Sequence, residues 1–282
     1  MIVGTDDLGA LLEDLYRRYG THRLPSDPLR FPRAYSDPPD REVVALIAAT
    51  LAYGNAKAIL INVARALEPL GPSPVRTLLS ASPAVLQESC REFRHRWTSG
   101  RDLAGLLWRV AQALREYGSL RTLFLAGYEP GDVNVGGSLT HFVDRLLAYD
   151  ATPLGPPSAA SPGKGIRYLL TRPADGSACK RLNMFLRWVV RRDDGLDLGL
   201  WPEVSPRQLV IPLDTHSARV ARGLGLTRRA TTDWRTAEEV TAALRRYDPV
   251  DPVRYDFALC HVSMSGDWKV DGAEKRRLGY RA

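Results

Sequence analysis

The sequence predicts an all-α protein, and three observations carry that expectation. Apolar residues recur at helical spacing along most of the 282 residues. No run alternates apolar and polar residues over the roughly four to eight positions that a half-buried strand needs. Clusters of proline and glycine punctuate the chain between the periodic segments.

Taken in order, Leu8, Leu11, Leu12, Leu15 and Tyr19 mark the buried stripe of a first amphipathic helix. The loop LPSDPLRFPRAYSDPPD follows and must pack along something, because it contains Phe31 and Tyr35; it ends in a helix start at Asp40. Val43, Val44, Ile47 and Leu51 form the next apolar face, the chain turns at Tyr53-Gly54-Asn55, and Ile59, Val63, Leu67 and Leu70 form a further face. This reads as a helical hairpin. After GPSP and a start at Ser82-Pro83, Leu103, Leu106, Leu107, Val110 and Leu114 line a longer helix, and Leu139, Phe142, Val143, Leu146 and Leu147 line another. Each apolar face is one stripe wide, as expected of core-facing bundle helices.

Residues 151–165, ATPLGPPSAASPGKG, lack periodicity and read as a flexible connection inside a helical lobe. Leu182, Phe185, Leu186 and Val189 then follow i, i+3, i+4, i+7. A helix is expected from Asp214-Thr215-His216 to Gly223 or Gly225. Ala237, Val240, Leu244 and Tyr247 mark another, and Asp251-Pro252 is expected to start the last. The tail DWKVDGAEKRRLGYRA reads as exposed and basic.

A hydrophobic fraction of 44% supports a real core. The N-terminus carries acidic residues where a secretory signal has basic ones, and no apolar run approaches the roughly 18 residues of a membrane span, so a soluble cytoplasmic protein is expected. Cys90, Cys179 and Cys260 are scattered, too sparse for a disulfide framework or a four-cysteine cluster. The histidines, His22, His95, His141, His216 and His261, are equally isolated, so neither a metal nor a cofactor is expected. The formal net charge is +7. Between Lys164 and Arg192 eight basic residues stand against Asp175 alone, which leaves the remainder near neutral. Such a local patch suits a phosphate backbone; the alternative is a solvated helix face.

The chemistry is expected between Leu170 and Arg219. A Pro/Gly turn at Pro173 and Gly176 leads into a helix with Lys180 in its first turn, and Pro212 leads into Asp214 at the start of another. A lysine is a nucleophile only as the neutral amine, and Arg181 together with the helix N-terminus is expected to lower the Lys180 pKa. A nearby carboxylate could orient or deprotonate that amine and stabilise an oxocarbenium-like centre. The plainer alternatives are a surface lysine and an Asp214 that only caps its helix. Cys179 is a rival nucleophile, although no histidine lies near it in sequence.

The segment LVIPLDTHSARVARGLGL, with its P-x-D-T-H-x-x-R pattern and R-x-L-G-L ending, resembles the aspartate loop of the helix-hairpin-helix DNA glycosylase superfamily. LTRPADGSACKRLNMFL is similar to the hairpin that precedes the lysine of that superfamily, with Pro173 and Gly176 in place of a tighter turn. Lys180 lies 34 residues before Asp214. That separation looks closer to the archaeal 8-oxoguanine GO glycosylase branch, as does the lack of an iron–sulfur loop. The whole chain further resembles a bacterial family carried as a domain of unknown function, through PDREVVALIAATLAYGNAKAIL, KRLNMFLRWVVRRDDGLDLGLW, PLDTH and DPVRYDFAL.

The superfamily resemblance implies a two-lobed helix-hairpin-helix glycosylase-like fold with a cleft between the lobes. Residues 41–192 would form a helical-barrel lobe ending in the hairpin and the lysine helix. Residues 1–40 plus 193–282 would form a second helical lobe carrying the aspartate loop. The implied function is a bifunctional DNA glycosylase/AP lyase in base excision repair, acting on double-stranded DNA that contains an oxidised purine, with 8-oxoguanine favoured. Lys180 would be the Schiff-base nucleophile and Asp214 the catalytic carboxylate. The turn around Pro173 to Ala178, including Gly176, would hold a DNA phosphate, with Arg172, Arg181 and Arg187 adding charge. Asn55 would fill the gap left by a flipped base, Asp256 and Cys260 would meet the damaged base, and Trp201 would stack on it, as would Trp188 and Trp268. A monomer associated with the nucleoid and away from membranes is expected. Two other readings stay open: a non-catalytic protein that binds DNA structures, and a Schiff-base enzyme for a small carbonyl metabolite.

Overall fold

The computed structural model describes residues 5–155 and 163–264, and these are all-α apart from one short ribbon. Helix α1 (Thr5–Arg18) leads through a 3-10 turn (Thr21–Ser26) to the one-turn α2 (Arg30–Arg33), then to α3 (Pro38–Thr50) and α4 (Ala56–Leu67). Two short helices follow, α5 (Pro74–Ser80) and α6 (Pro83–Cys90), then strands β1 (Arg94–His95) and β2 (Thr98–Ser99). Next come α7 (Gly100–Tyr117), α8 (Leu120–Leu125), α9 (Gly136–Ala148) and α10 (Lys164–Leu169). The chain closes with α11 (Lys180–Val190), α12 (Thr215–Gly223), α13 (Trp234–Leu244) and α14 (Asp256–Met264).

The helix starts follow local chemistry. Ser99 and Asp102 close a reciprocal capping box on α7, and Pro38 occupies the first turn of α3, where a missing N–H costs nothing. The expected stripe of α1 is buried at Leu8, Leu12, Leu15 and Tyr19, and Phe31 and Tyr35 of the proline-broken loop pack partly buried against the core. The ribbon is two residues per strand, too short for alternation to register in sequence. It is tied to the α3–α4 turn by Tyr53, whose hydroxyl donates to the His95 carbonyl at 2.7 Å and lies 2.6 Å from Thr98 Oγ1.

Two expectations need correction. Helix α3 is not one stripe wide: every residue from Glu42 to Thr50 is buried. Ala45, Ala48 and Ala49 carry too little apolar volume to mark a face, yet their small side chains let α2, α4, α5, α8 and α11 approach from several sides. The last helix begins at Asp256 rather than at Asp251, because Asp248 takes the Val250 and Asp251 amides in a side-chain turn that postpones it. Within the expected connection 151–165, Thr152–Leu154 form a 3-10 turn and α10 starts at Lys164, while 156–162 lie outside the described residues. The expected basic tail, with Trp268, lies outside them as well.

Helix α11 packs along α3 and is buried from Leu182 to Val190. One apolar cluster runs from Leu8 to Val262, with Phe124, Phe142, Phe185 and Trp201 meeting ring to ring. Helix α14 packs on both α1 and α12. A buried ion network crosses this core. Arg187 reaches Asp197 at 3.1 Å and Asp256 at 2.6 Å, while Arg191 pairs with Asp197 and reaches Asp251 at 2.8 Å. Burial works against both guanidinium charges, and the facing carboxylates outweigh it and hold them firmly protonated.

Asp197 is fully buried and serves both arginines. Asp197→Ala is therefore expected to cost about 3–5 kcal/mol, since two buried cations lose a shared partner. Equilibrium urea unfolding reads this as a lower midpoint at an unchanged slope; a midpoint equal to wild type would show the network to be energetically idle.

Candidate functional site

The turn before α11 delivers Lys180 to its position. Pro173–Asp175 form a 3-10 turn closed by Gly176 in the left-handed region (φ 76°). Ser177 bridges to Asp233, and the Trp234 amide donates to the Gly176 carbonyl at 3.0 Å. Cys179 is then itself left-handed (φ 47°), a conformation that costs a non-glycine residue on the order of 1 kcal/mol. It is held there because its thiol donates to the Thr171 carbonyl and its amide to Ser177 Oγ, while Asn183 donates from its side chain to the Ala178 carbonyl. Lys180 is thus the first residue of α11, as expected.

Lys180 Nζ stands 3.6 Å from Asp214 Oδ2, and both side chains are 27% exposed. The two carboxylate oxygens of Asp214 divide the work. Oδ1 accepts the His216 and Ser217 amides at 2.8 and 2.9 Å and caps α12, while Oδ2 faces the lysine. Capping and pairing, set against each other as readings of the sequence, are both present in one side chain.

The electrostatics overturn one expectation. Burial pushes the Lys180 pKa down, but Asp214, Cys260, Asp256 and Asp27 together outweigh it, so the amine sits above its ordinary value and rests as an ammonium. The expected lowering by Arg181 fails because that guanidinium turns away from the lysine. It donates to the Thr50 and Tyr168 carbonyls and lies over the Tyr53 and Tyr168 rings. For Asp214, burial pushes upward, and Lys180 with the two capping amides outweighs it, so the carboxylate lies below its usual range. Burial pushes the Cys179 thiol up, which disfavours the thiolate that a rival nucleophile needs.

Lys180 lines a cavity of about 280 Å³, with Asp214 behind it. One face of α11, at Lys180, Met184, Arg187 and Trp188, forms one wall. Asp256, Phe257, Cys260, His261 and Met264 of α14 form another, and Ala52, Ala56 and Ile59 from the α3–α4 hairpin, Pro212, and the Arg23–Pro28 segment complete it. Burial raises Asp256 to about 6 against the pull of Arg187, and raises Cys260 to about 12. Burial lowers His261, whose Nδ1 contacts the Phe257 carbonyl at 2.9 Å. A larger and more open groove of about 740 Å³, lined by Phe31, Tyr35, Asp37, Asp40 and Glu68 among others, holds neither lysine, cysteine nor histidine.

The other expected site residues divide. Asp256 and Cys260 line the cavity with Lys180, so these three share one site. Asn55 caps α4 by accepting the Lys57 and Ala58 amides and is exposed outside the cavity lining. Trp201 is fully buried against Phe124 and Phe185 and has no face to offer a base; Trp188 is almost as buried and lies in the cavity wall.

The four expected backbone contacts are committed within the protein. Arg172 is held by Asp144 at 2.8 Å and Asp175 at 2.6 Å, the Gly176 amide donates to the Pro173 carbonyl, Arg181 serves carbonyls, and Arg187 lies in the buried network. Much of the basic run between Lys164 and Arg192 is therefore the positive half of internal pairs, with acids both nearby (Asp175, Asp197) and distant (Asp144, Asp251, Asp256) supplying the other half.

Sequence reasoning missed Asp27 and His261 in the cavity, and the ribbon tip. There Trp97 is 63% exposed with the Arg96 guanidinium 4.4 Å from its ring centroid, and Arg96 is left-handed (φ 53°). Gly54 fits beneath it, since a Cβ there would lie 2.9 Å from Arg96 Cδ. No local pattern marks these positions, because each depends on a turn meeting a distant helix.

Among the described residues no group of three or more His, Cys, Asp and Glu is arranged to hold a metal, and no helix is long and apolar enough to cross a membrane. Asp214→Asn is expected to keep the α12 cap, since asparagine caps about as well as aspartate. It should also lower the Lys180 pKa, because burial then acts against a weaker negative field. NMR titration of isotopically methylated lysines checks this; a Lys180 resonance titrating at the same pH in both proteins would contradict the pairing.

No curated protein and no solved structure matches the chain. A family profile described as "Protein of unknown function (DUF2400)" matches residues 27–265, which is most of the chain, and the protein belongs to that family.

Proposed function

We propose that the protein is a DNA glycosylase/AP lyase that excises an oxidised purine, with 8-oxoguanine favoured, from double-stranded DNA. The observation that carries this reading is the Lys180 ammonium 3.6 Å from Asp214 Oδ2, with the lysine in the wall of a cavity of about 280 Å³. The fold would be of the helix-hairpin-helix glycosylase type. Its lobes, 41–192 and 1–40 with 193–282, would meet at the cavity, whose walls draw residues from both sets.

The chemistry follows from the charge state. Lys180 becomes a nucleophile once its proton passes to a base, and Asp214 Oδ2 is the nearest carboxylate oxygen in place. The neutral amine attacks C1′ of a flipped nucleotide as the glycosidic bond breaks and its electron pair leaves with the base. Opening of the sugar ring expels O4′ and leaves an iminium between Nζ and C1′. Loss of a C2′ proton then drives out the 3′ phosphate. Once Asp214 passes that proton on to the departing base, its restored charge stabilises the cationic centre at C1′. About 280 Å³ suits one heterocyclic base rather than a drug-sized ligand. Support for a DNA surface comes from the exposed Trp97 and Arg96 and from Lys164 and Arg192, which stay at the surface.

A second reading, a Schiff-base enzyme for a small carbonyl compound, gains from the internal commitment of Arg172, Arg181 and Arg187. Salt-dependent affinity for duplex DNA separates the two. For the favoured reading, borohydride in the presence of an 8-oxoguanine duplex is expected to trap a covalent protein–DNA product that Lys180→Gln abolishes. Absence of trapping with wild type, or trapping that survives Lys180→Gln, would remove the lyase reading.

A further inference from the structure

The cavity holds a carboxyl group that the lysine chemistry does not use. Asp27 lies between the 3-10 turn and α2, far in sequence from Lys180, and its side chain faces the same space. Its Oδ1 accepts the Leu29 amide at 2.8 Å, which fixes the carboxyl group in place. Among the described residues no cation pairs with it within ion-pair distance, and Oδ2 has no hydrogen-bond partner. Asp256 is different, since its Oδ2 is taken by Arg187 at 2.6 Å. Asp27 is thus the cavity carboxylate with no guanidinium in contact, and its Oδ2 is free to accept.

The surroundings select what could use that capacity. Met184, Trp188, Phe257 and Ile59 supply apolar wall, suited to the faces of a flat ring. Burial raises the Asp27 pKa, and the Leu29 amide, then Arg187, then His261, then Lys180 oppose that effect without cancelling it. A ligand that brings two N–H donors to the carboxylate would complete what those cations leave unmet. Of the two purine edges, that of guanine presents adjacent N1–H and N2–H donors. Adenine presents an acceptor at N1 beside its N6 donor, so its N1 lone pair would face a carboxylate oxygen.

We propose that Asp27 is the specificity-determining residue of this cavity, reading the Watson–Crick edge of a guanine-type base by accepting N1–H and N2–H. The assignment rests on the glycosylase reading for the route by which a base arrives. It does not depend on Lys180 chemistry for its test.

The test is equilibrium binding of free guanine, 1-methylguanine and adenine, followed by intrinsic tryptophan fluorescence, with Trp188 in the cavity wall as reporter. Wild type is expected to bind guanine about tenfold or more tighter than either 1-methylguanine or adenine, the range of one two-point edge contact. Asp27→Asn replaces one acceptor oxygen by a donor and matches the adenine edge, so the guanine-over-adenine ratio is expected to fall about tenfold or more. Asp27→Glu keeps the acceptors and is expected to retain the guanine preference with weaker affinity. A wild type that does not prefer guanine to 1-methylguanine, or an Asp27→Asn protein that keeps the wild-type ratio while circular dichroism shows it folded, would overturn the proposal. Borohydride trapping on 8-oxoguanine duplex decides the lyase reading separately, so either can fail alone.

Discussion

The structure depends on the ion network that Arg187 and Arg191 make with Asp197, Asp251 and Asp256. Two guanidinium groups four residues apart at the end of α11 would be prohibitive inside an apolar core if unpaired. Asp197 comes from the segment that returns along α11, where the Leu198 and Trp201 amides donate to the Trp188 and Val189 carbonyls. Asp251 comes from the turn before α14, and Asp256 is its first residue. The network therefore specifies how the lysine helix, its return segment and the last helix sit together. Those same elements build most of the cavity.

The network also decides which charges are left for function. Asp256 is largely occupied by Arg187, whereas Asp214 is shared between a helix cap and Lys180. A carboxylate whose Oδ1 is anchored by two amides loses little orientation freedom when Oδ2 meets a partner, which is how a reacting group is pre-organised. The pair rests charged, with the proton on nitrogen. Reactivity must then come from moving a proton within the site rather than from an amine kept neutral by its surroundings.

Helix α11 shows how far local sequence reaches. Its start at Lys180, its stripe at Leu182, Phe185, Leu186 and Val189, and the cap at Asp214 were all legible, because each is encoded within a turn or two of chain. The existence and apolar stripes of α1, α4, α7, α9 and α13 were legible for the same reason, although Tyr19, Leu70 and Tyr247 fall just beyond their helices. What failed were inferences about charge from neighbours in sequence. Arg181 adjoins Lys180 in the chain yet spends its guanidinium on Thr50 and Tyr168. Asp27 went unnoticed because nothing within its own loop relates it to α11 or α14.

By itself the sequence determined the longer helices, the Asp214 cap and the two helix-start residues that face each other, since 3.6-residue periodicity and capping chemistry act over three or four positions. Only the tertiary structure decided which of the basic residues between Lys164 and Arg192 are free for a ligand, that Lys180 rests as an ammonium, and that Asp27, Asp256 and Cys260 share its cavity. The physical reason is range. The energy of a buried charge is set by whichever groups lie within a few ångströms in space, and here those groups come from segments that packing alone brings together.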